Sequence, residues 1–265
     1  TNHGEINLAG GTARFDQDLT NSSTGIITGR GTLYANAGLT NEGNIGLSSG
    51  TTDIHGDVNN TGTGSIIVSG SATATFFDDV VHNGTEIRVS EGSQAVFFGA
   101  VSGAGSYTGT GTVFFEGDLL PGNSPALVTM EGDMVLTETA NTLIELGGLF
   151  RGDEYDAFDI GGSLTLGGTL DVDFFDLGSG LFDASLGDSF DLFTAEMLYG
   201  EFDLLTMAIL GEGLGWQLDY LIDEIGSTDI VRLSVVSAVP VPAAVWLFSS
   251  GLLVLMHVGR KRKAL

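Results

Sequence analysis

Short apolar runs of three to five residues, parted by Gly, Asn, Ser, Thr and Asp, fill the first half of the chain. Ser65-Ile-Ile-Val68, Ala74-Thr-Phe-Phe77 and Glu86-Ile-Arg-Val89 are examples. Val, Ile, Phe and Thr suit a pleated, half-buried surface. Gly, Asn and Asp supply the positive-φ corners that bulkier residues adopt only at a cost. No 12-residue window in 1–140 has a clean 3.6-residue period, so the pattern predicts strands and turns. The runs also recur. The residue after each "aromatic or Ile, small, acidic" step falls at Leu19, Leu39, Val58, Val80, Val101 and Leu119, at spacings of 20, 19, 22, 21 and 18. Phe15, Ile54, Phe76, Phe97 and Phe115 open those steps, and Asn turns at Asn41, Asn60 and Asn83 follow several of the anchors. The Leu39 unit fits least, because Tyr34 stands one residue out of step.

One such unit cannot bury its apolar face alone, whereas stacked units share a continuous core. Residues 1–120 are therefore predicted to form rungs of about 20 residues in a single-stranded parallel β-helix, or β-solenoid. The rival all-β architecture, an antiparallel sandwich, also uses short strands with frequent turns; recurrence within the sequence favours the helix. The texture changes at Gly117–Asp133, where Pro121 and Pro125 bracket a Gly-Asn-Ser turn. Beyond it, Asn141–Leu146, Tyr155–Ile160, Thr169–Phe174, Ser189–Phe193, Gly215–Tyr220 and Asp229–Val235 alternate apolar and polar positions, the signature of strands with one wet face. Residues 121–237 are expected to continue the solenoid and close it with a capping β region. A short helix or irregular cap fits only Ala195–Leu210.

The last unit, 238–265, differs. Val239–Gly259 is an uncharged run of 21 residues, roughly 30 Å as a helix and about one hydrocarbon thickness. Pro240 and Pro242 suit the entry of such a helix. Arg260, Lys261, Arg262 and Lys263 follow it and would stop transfer on the cytoplasmic side. One C-terminal transmembrane helix is expected, with the rest of the chain outside.

Charge sharpens this picture. Residues 1–238 hold five Arg and no Lys against 34 acidic residues, a net charge of −29. Nucleic acid is thereby excluded as a partner, because phosphates need clustered basic residues. Apolar residues make up 42% of the chain, too many for a disordered polyanion. The absence of Cys removes disulfides, thiolate metal sites and Cys nucleophiles. The opening TNHGEINLAGG has neither a charged n-region nor an apolar h-region. The sequence thus reads as that of a processed or truncated chain.

Candidate chemistry is sparse. Asp53, His55 and Asp57, then Asp78, Asp79 and His82, together with Arg88, are the groups from which a lyase or glycosidase would draw its carboxylates and base. They recur at rung corners without a fixed pattern, as surface turn residues do. Arg151-Gly-Asp-Glu-Tyr-Asp156 and Asp171-Val-Asp-Phe-Phe-Asp176 place carboxylates two or three apart without matching a calcium loop. Weak, nonspecific Ca²⁺ binding is all they imply, and no cofactor is expected. The RGD at 151–153 is too short to carry meaning. Gly103-Ala-Gly-Ser-Tyr-Thr-Gly109 lacks a following helix and reads as turns rather than a nucleotide site.

Two resemblances add to this. Pro121-Gly-Asn-Ser-Pro125, Ile144-Glu-Leu-Gly-Gly148, Tyr155-Asp156 and Leu166-Gly-Gly-Thr-Leu170 occur in the order seen after the β-helix of autotransporter-like exported proteins. Residues 117–235 resemble that region, which implies a solenoid ending in a capping sheet and no enzymatic activity. Val239-Pro240-Val241-Pro242-Ala243-Ala244, the apolar span and Arg260–Lys263 resemble the PEP-CTERM sorting signal of Gram-negative bacteria. Val241 stands where that family usually has Glu. The resemblance implies an exosortase-type membrane protease as partner, with Pro240 and Pro242 as recognition residues, a temporary inner-membrane intermediate, and delivery to the cell surface or outside. The expected function is that of a non-enzymatic cell-surface or biofilm-matrix protein set among exopolysaccharide. The alternatives are a β-helix enzyme acting on extracellular polysaccharide and a passenger-like adhesin.

Overall fold

The computed structural model describes residues 1–122, 125–225 and 228–238. They form an all-β parallel solenoid. Each coil lays down three short strands, one per face. The fourth coil shows the plan, with Ser65–Ser69, Thr73–Phe76 and Val80–His82 on the first, second and third faces. Up to Ser189–Gly200 and Leu204–Met207, strands pair in parallel with their counterparts one coil away, as Ser65–Ser69 does with Glu86–Val89 and Thr73–Phe76 with Gln94–Phe97. The third face is a nine-stranded sheet. The other two join into one larger sheet, because Ile26–Ala35, Asn44–His55, Ala157–Leu166 and Ser189–Gly200 run through both.

The six repeat anchors are the register of the third face. Leu19, Leu39, Val58, Val80, Val101 and Leu119 stand directly over one another, and all are buried. The column continues through Thr142, Leu170 and Leu205. Other columns are as regular. Ile6, Ile27, Ile45, Ile66 and Ile87 stack on the first face. Ala13, Leu33, Ile54, Phe76, Phe97 and Phe115 stack on the second. Within that column the phenyl rings lie 4.9 and 5.6 Å apart and nearly parallel. Like packs on like because a coil repeats its neighbour's geometry, and each buried Phe or Ile contributes about 1.5–3 kcal/mol by leaving water.

Tyr34 stands one residue out of step with the inward column, as its spacing implied. Leu33 fills that inward place, and Tyr34 faces out, paired with His55. The region from Ala195 to Leu210 is not a helical cap. Ser189–Gly200 is a strand, and Leu204–Met207 pairs in parallel with Thr169–Val172. Its apolar side chains find a preceding coil to pair with, and pairing overrides local preference. The parallel order ends with Thr228–Ser237, which runs antiparallel to Ser189–Ala195, and with Leu214–Ile225, antiparallel to it in turn. Asp191 and Arg232 clamp that reversal with two hydrogen bonds.

Among the described residues no helix is long and apolar enough to cross a membrane. The expected transmembrane span, Val239–Ala244 and Arg260–Lys263 lie outside the described residues.

Candidate functional site

Two positions after each of the first four anchors come Asn21, Asn41, Asn60 and His82. All four are buried in the interior, at the corner where the third face turns back to the first. Their side chains form a ladder of one direction. Asn2 donates from Nδ2 to Asn21 Oδ1 (2.8 Å), Asn21 to Asn41 (2.8 Å) and Asn41 to Asn60 (2.7 Å). Asn60 Nδ2 then meets His82 Nδ1 at 3.1 Å, and His82 Nε2 meets the Ser106 carbonyl at 3.0 Å. An amide nitrogen can only donate and a carbonyl can only accept. The imidazole is therefore neutral, with its proton on Nε2. Burial pushes its pKa down, partly offset by the bond to the Ser106 carbonyl. Gly105 makes room for the ring, since a Cβ there would stand 2.3 Å from it. This gives the GxGxxG-like run at 103–109 a packing role.

Asn41 and Asn60, expected at turns, and His82, expected at the surface, all lie inside. The available signal was their fixed offset of two from the anchors, which puts them on the inward side of a strand.

The other candidates are spread over the three faces. Asp53 and His55 point outward from the second face, and Arg88 is exposed on the first. Asp57 and Asp79 stand exposed at the entry to the third. Several corner acids bind backbone one coil away. Asp78 Oδ2 accepts from Gly56 N–H at 2.7 Å, Asp79 Oδ1 from Ala100 N–H at 2.9 Å, and Glu131 Oε2 from Gly109 N–H at 2.8 Å.

His55 lies in an outer row of rings. Tyr34, His55, Phe77 and Phe98 stack at 4.6, 4.5 and 5.5 Å, within 9° of parallel. Arg14 caps the Tyr34 face, 4.2 Å from the ring centre. Within the row the rings cover one another's faces, and Phe98 at its end stands 48% exposed.

Arg151 of the RGD triplet is turned into the fold. It bridges Asp159 at 2.7 Å and donates to the carbonyls of Asp191 and Phe158. Asp156 is fully buried. Its carboxylate accepts from the N–H of Ala126 at 2.7 Å and of Glu145 at 2.9 Å. The residue after the Pro121–Pro125 motif is thus tied to the Tyr155-Asp156 motif, which lies 30 residues on in sequence. Asp176 folds back onto Gly178 and Gly180, whose N–H groups hold its carboxyl below the usual range. Asp171 shifts upward through desolvation first and the neighbouring Asp173 charge second. Among the described residues no three His, Asp or Glu side chains converge as metal ligands.

No protein-family model matches the chain, and no curated protein matches it in sequence.

Proposed function

We propose that this chain is an exported, non-enzymatic cell-surface or extracellular-matrix protein, sorted by its C-terminal signal. The observation that carries the reading is where the polar groups of the solenoid are used. His82 is bonded through both ring nitrogens inside the core. Asp78, Asp79 and Glu131 staple backbone between coils. Arg151 and Arg232 are held in ion pairs. A lyase or glycosidase instead needs a free base or two carboxylates converging on one groove. Asp53 and Arg88 stand on different faces from Asp57; Asp57 shares a groove of the third face with Asp18 and Asp79, but Asp79 there is tied to the Ala100 N–H and no basic side chain lines the groove.

Sorting rests on the tail sequence. Val239-Pro-Val-Pro-Ala-Ala244 presents the motif to an exosortase-type protease. The apolar span holds the chain in the inner membrane, and Arg260–Lys263 keep its end in the cytoplasm. Cleavage then frees an acidic body that self-repulsion keeps soluble among matrix polysaccharide.

The test replaces Pro240 and Pro242 by Ala and follows the protein through cell fractions, with the mature C-terminus read by mass spectrometry. The proposal expects the double variant to stay uncleaved in the inner membrane. Processing and surface delivery unchanged from wild type would overturn it.

A further inference from the structure

We propose that His82 makes the asparagine ladder an acid-sensitive latch, which holds the corner of neighbouring coils shut at neutral pH and releases it on protonation. The latch is geometric. Every rung donates in the same direction, and the series ends on the one lone pair of His82 Nδ1. A proton placed there would set two N–H groups against each other across 3.1 Å in a site 1% exposed. Buried like-directed donors cost free energy because neither finds water or an acceptor.

The ladder cannot adapt by turning its amides over. Asn21 Nδ2 also donates to the Asn44 carbonyl at 3.3 Å, Asn41 Nδ2 to Ser65 at 3.2 Å and Asn60 Nδ2 to Gly64 at 3.2 Å. Flipping any amide would bring its oxygen against one of those carbonyls. The imidazole cannot turn over either, because Nε2 is held by Ser106 and Gly105 closes on the ring. Relief therefore requires the corner to open.

No neighbouring charge offsets the effect. On the strand before, Asn60 faces the ring. In the next coil, Tyr107 of the strand Ser106–Thr108 packs edge-on with ring centres 5.3 Å apart, and burial raises its phenol well above the ordinary value, so it stays neutral. At the neighbouring acids, Asp79 is turned to Ala100 N–H and Glu86 to the Thr108 hydroxyl. The folded imidazole holds its proton less tightly than the unfolded one, so the latch is fully closed above about pH 6.5 and weakens as pH falls. Only one proton is involved, so opening grows by at most about tenfold per pH unit between that value and the folded one.

Native-state hydrogen exchange between pH 7.5 and 5.5 tests this, above the range in which ordinary carboxylates titrate. The amides of Asn83, Thr85 and Gly105 bond across this corner, and Thr169 serves as a distant control. Protection at the three is expected to fall relative to Thr169 once pH passes about 6.5, by at most about tenfold per pH unit. In His82→Asn, which keeps an acceptor at the end of the ladder and leaves the other three histidines in place, the dependence should vanish. Protection in the wild type that is flat against pH would overturn the latch, whether or not the variant folds. An equal pH dependence in His82→Asn would overturn it too.

Discussion

Single buried atoms decide local stability in so regular a fold. Thr142 stands in the column of Leu119 and Leu170, fully buried, and its hydroxyl has no hydrogen-bond partner among the described residues. Thr142→Val keeps the shape and removes an orphaned polar group, so it should stabilise by about 1 kcal/mol. Chemical denaturation reads this as a higher midpoint with an unchanged slope; a lower midpoint would mean that a hidden partner exists. Asp156 is the opposite case, a buried carboxylate whose two oxygens each accept a backbone N–H. Its acceptor role was not legible in the sequence. It depends on Ala126, 30 positions earlier in the sequence, being brought beside it, and no local pattern records that.

At the scale of the strand, the second face carries aromatic rows on both its sides. Phe76, Phe97 and Phe115 stack inside, and Phe77 and Phe98 stack outside, each one residue along from an inner ring. Phe97→Ala should cost about 3–5 kcal/mol, because a cavity opens beneath two coils that cannot close on it. Phe98→Ala should cost only about 1 kcal/mol, since the ring is 48% exposed and loses mainly its contact with Phe77. Comparing the two melting curves checks the contrast; equal losses would mean that the outer row bears as much as the core. The doubled aromatic in Phe76-Phe77 and Phe97-Phe98 made the rung visible in the sequence. Tyr34, one residue out of step in the sequence, is likewise one residue past the inward column, which Leu33 fills. The repeat interval was fully legible because a stacked strand must return to the same register each turn. The stretch Ala195–Leu210 was not, since its partner strand, not its own residues, makes it β.

For the whole molecule, charge is the dominant long-range term. A net charge of −29 over residues 1–238 is offset locally by two ion pairs among the described residues, Arg151–Asp159 and Arg232–Asp191. Like charges also face each other across strands, as Glu145 and Asp173 do in register. Raising ionic strength from about 0.01 to about 0.15 M shortens the screening length from about 30 Å to about 8 Å. The melting midpoint should therefore rise by a few degrees in NaCl, measurable by circular dichroism. A midpoint that falls with salt would mean that the ion pairs outweigh the general repulsion.

The near-constant interval of the first coils has one more consequence. Each early strand meets its partner about one coil further along the chain, at offsets such as 20 from Leu19 to Leu39 and 21 from Val80 to Val101. Most of the structure can therefore assemble without waiting for distant sequence, because stability accrues from neighbour to neighbour. A polypeptide threaded end-first through a narrow opening could fold turn by turn on the far side. Every finished turn would then make backward sliding harder, so that folding itself acts as a ratchet for passage.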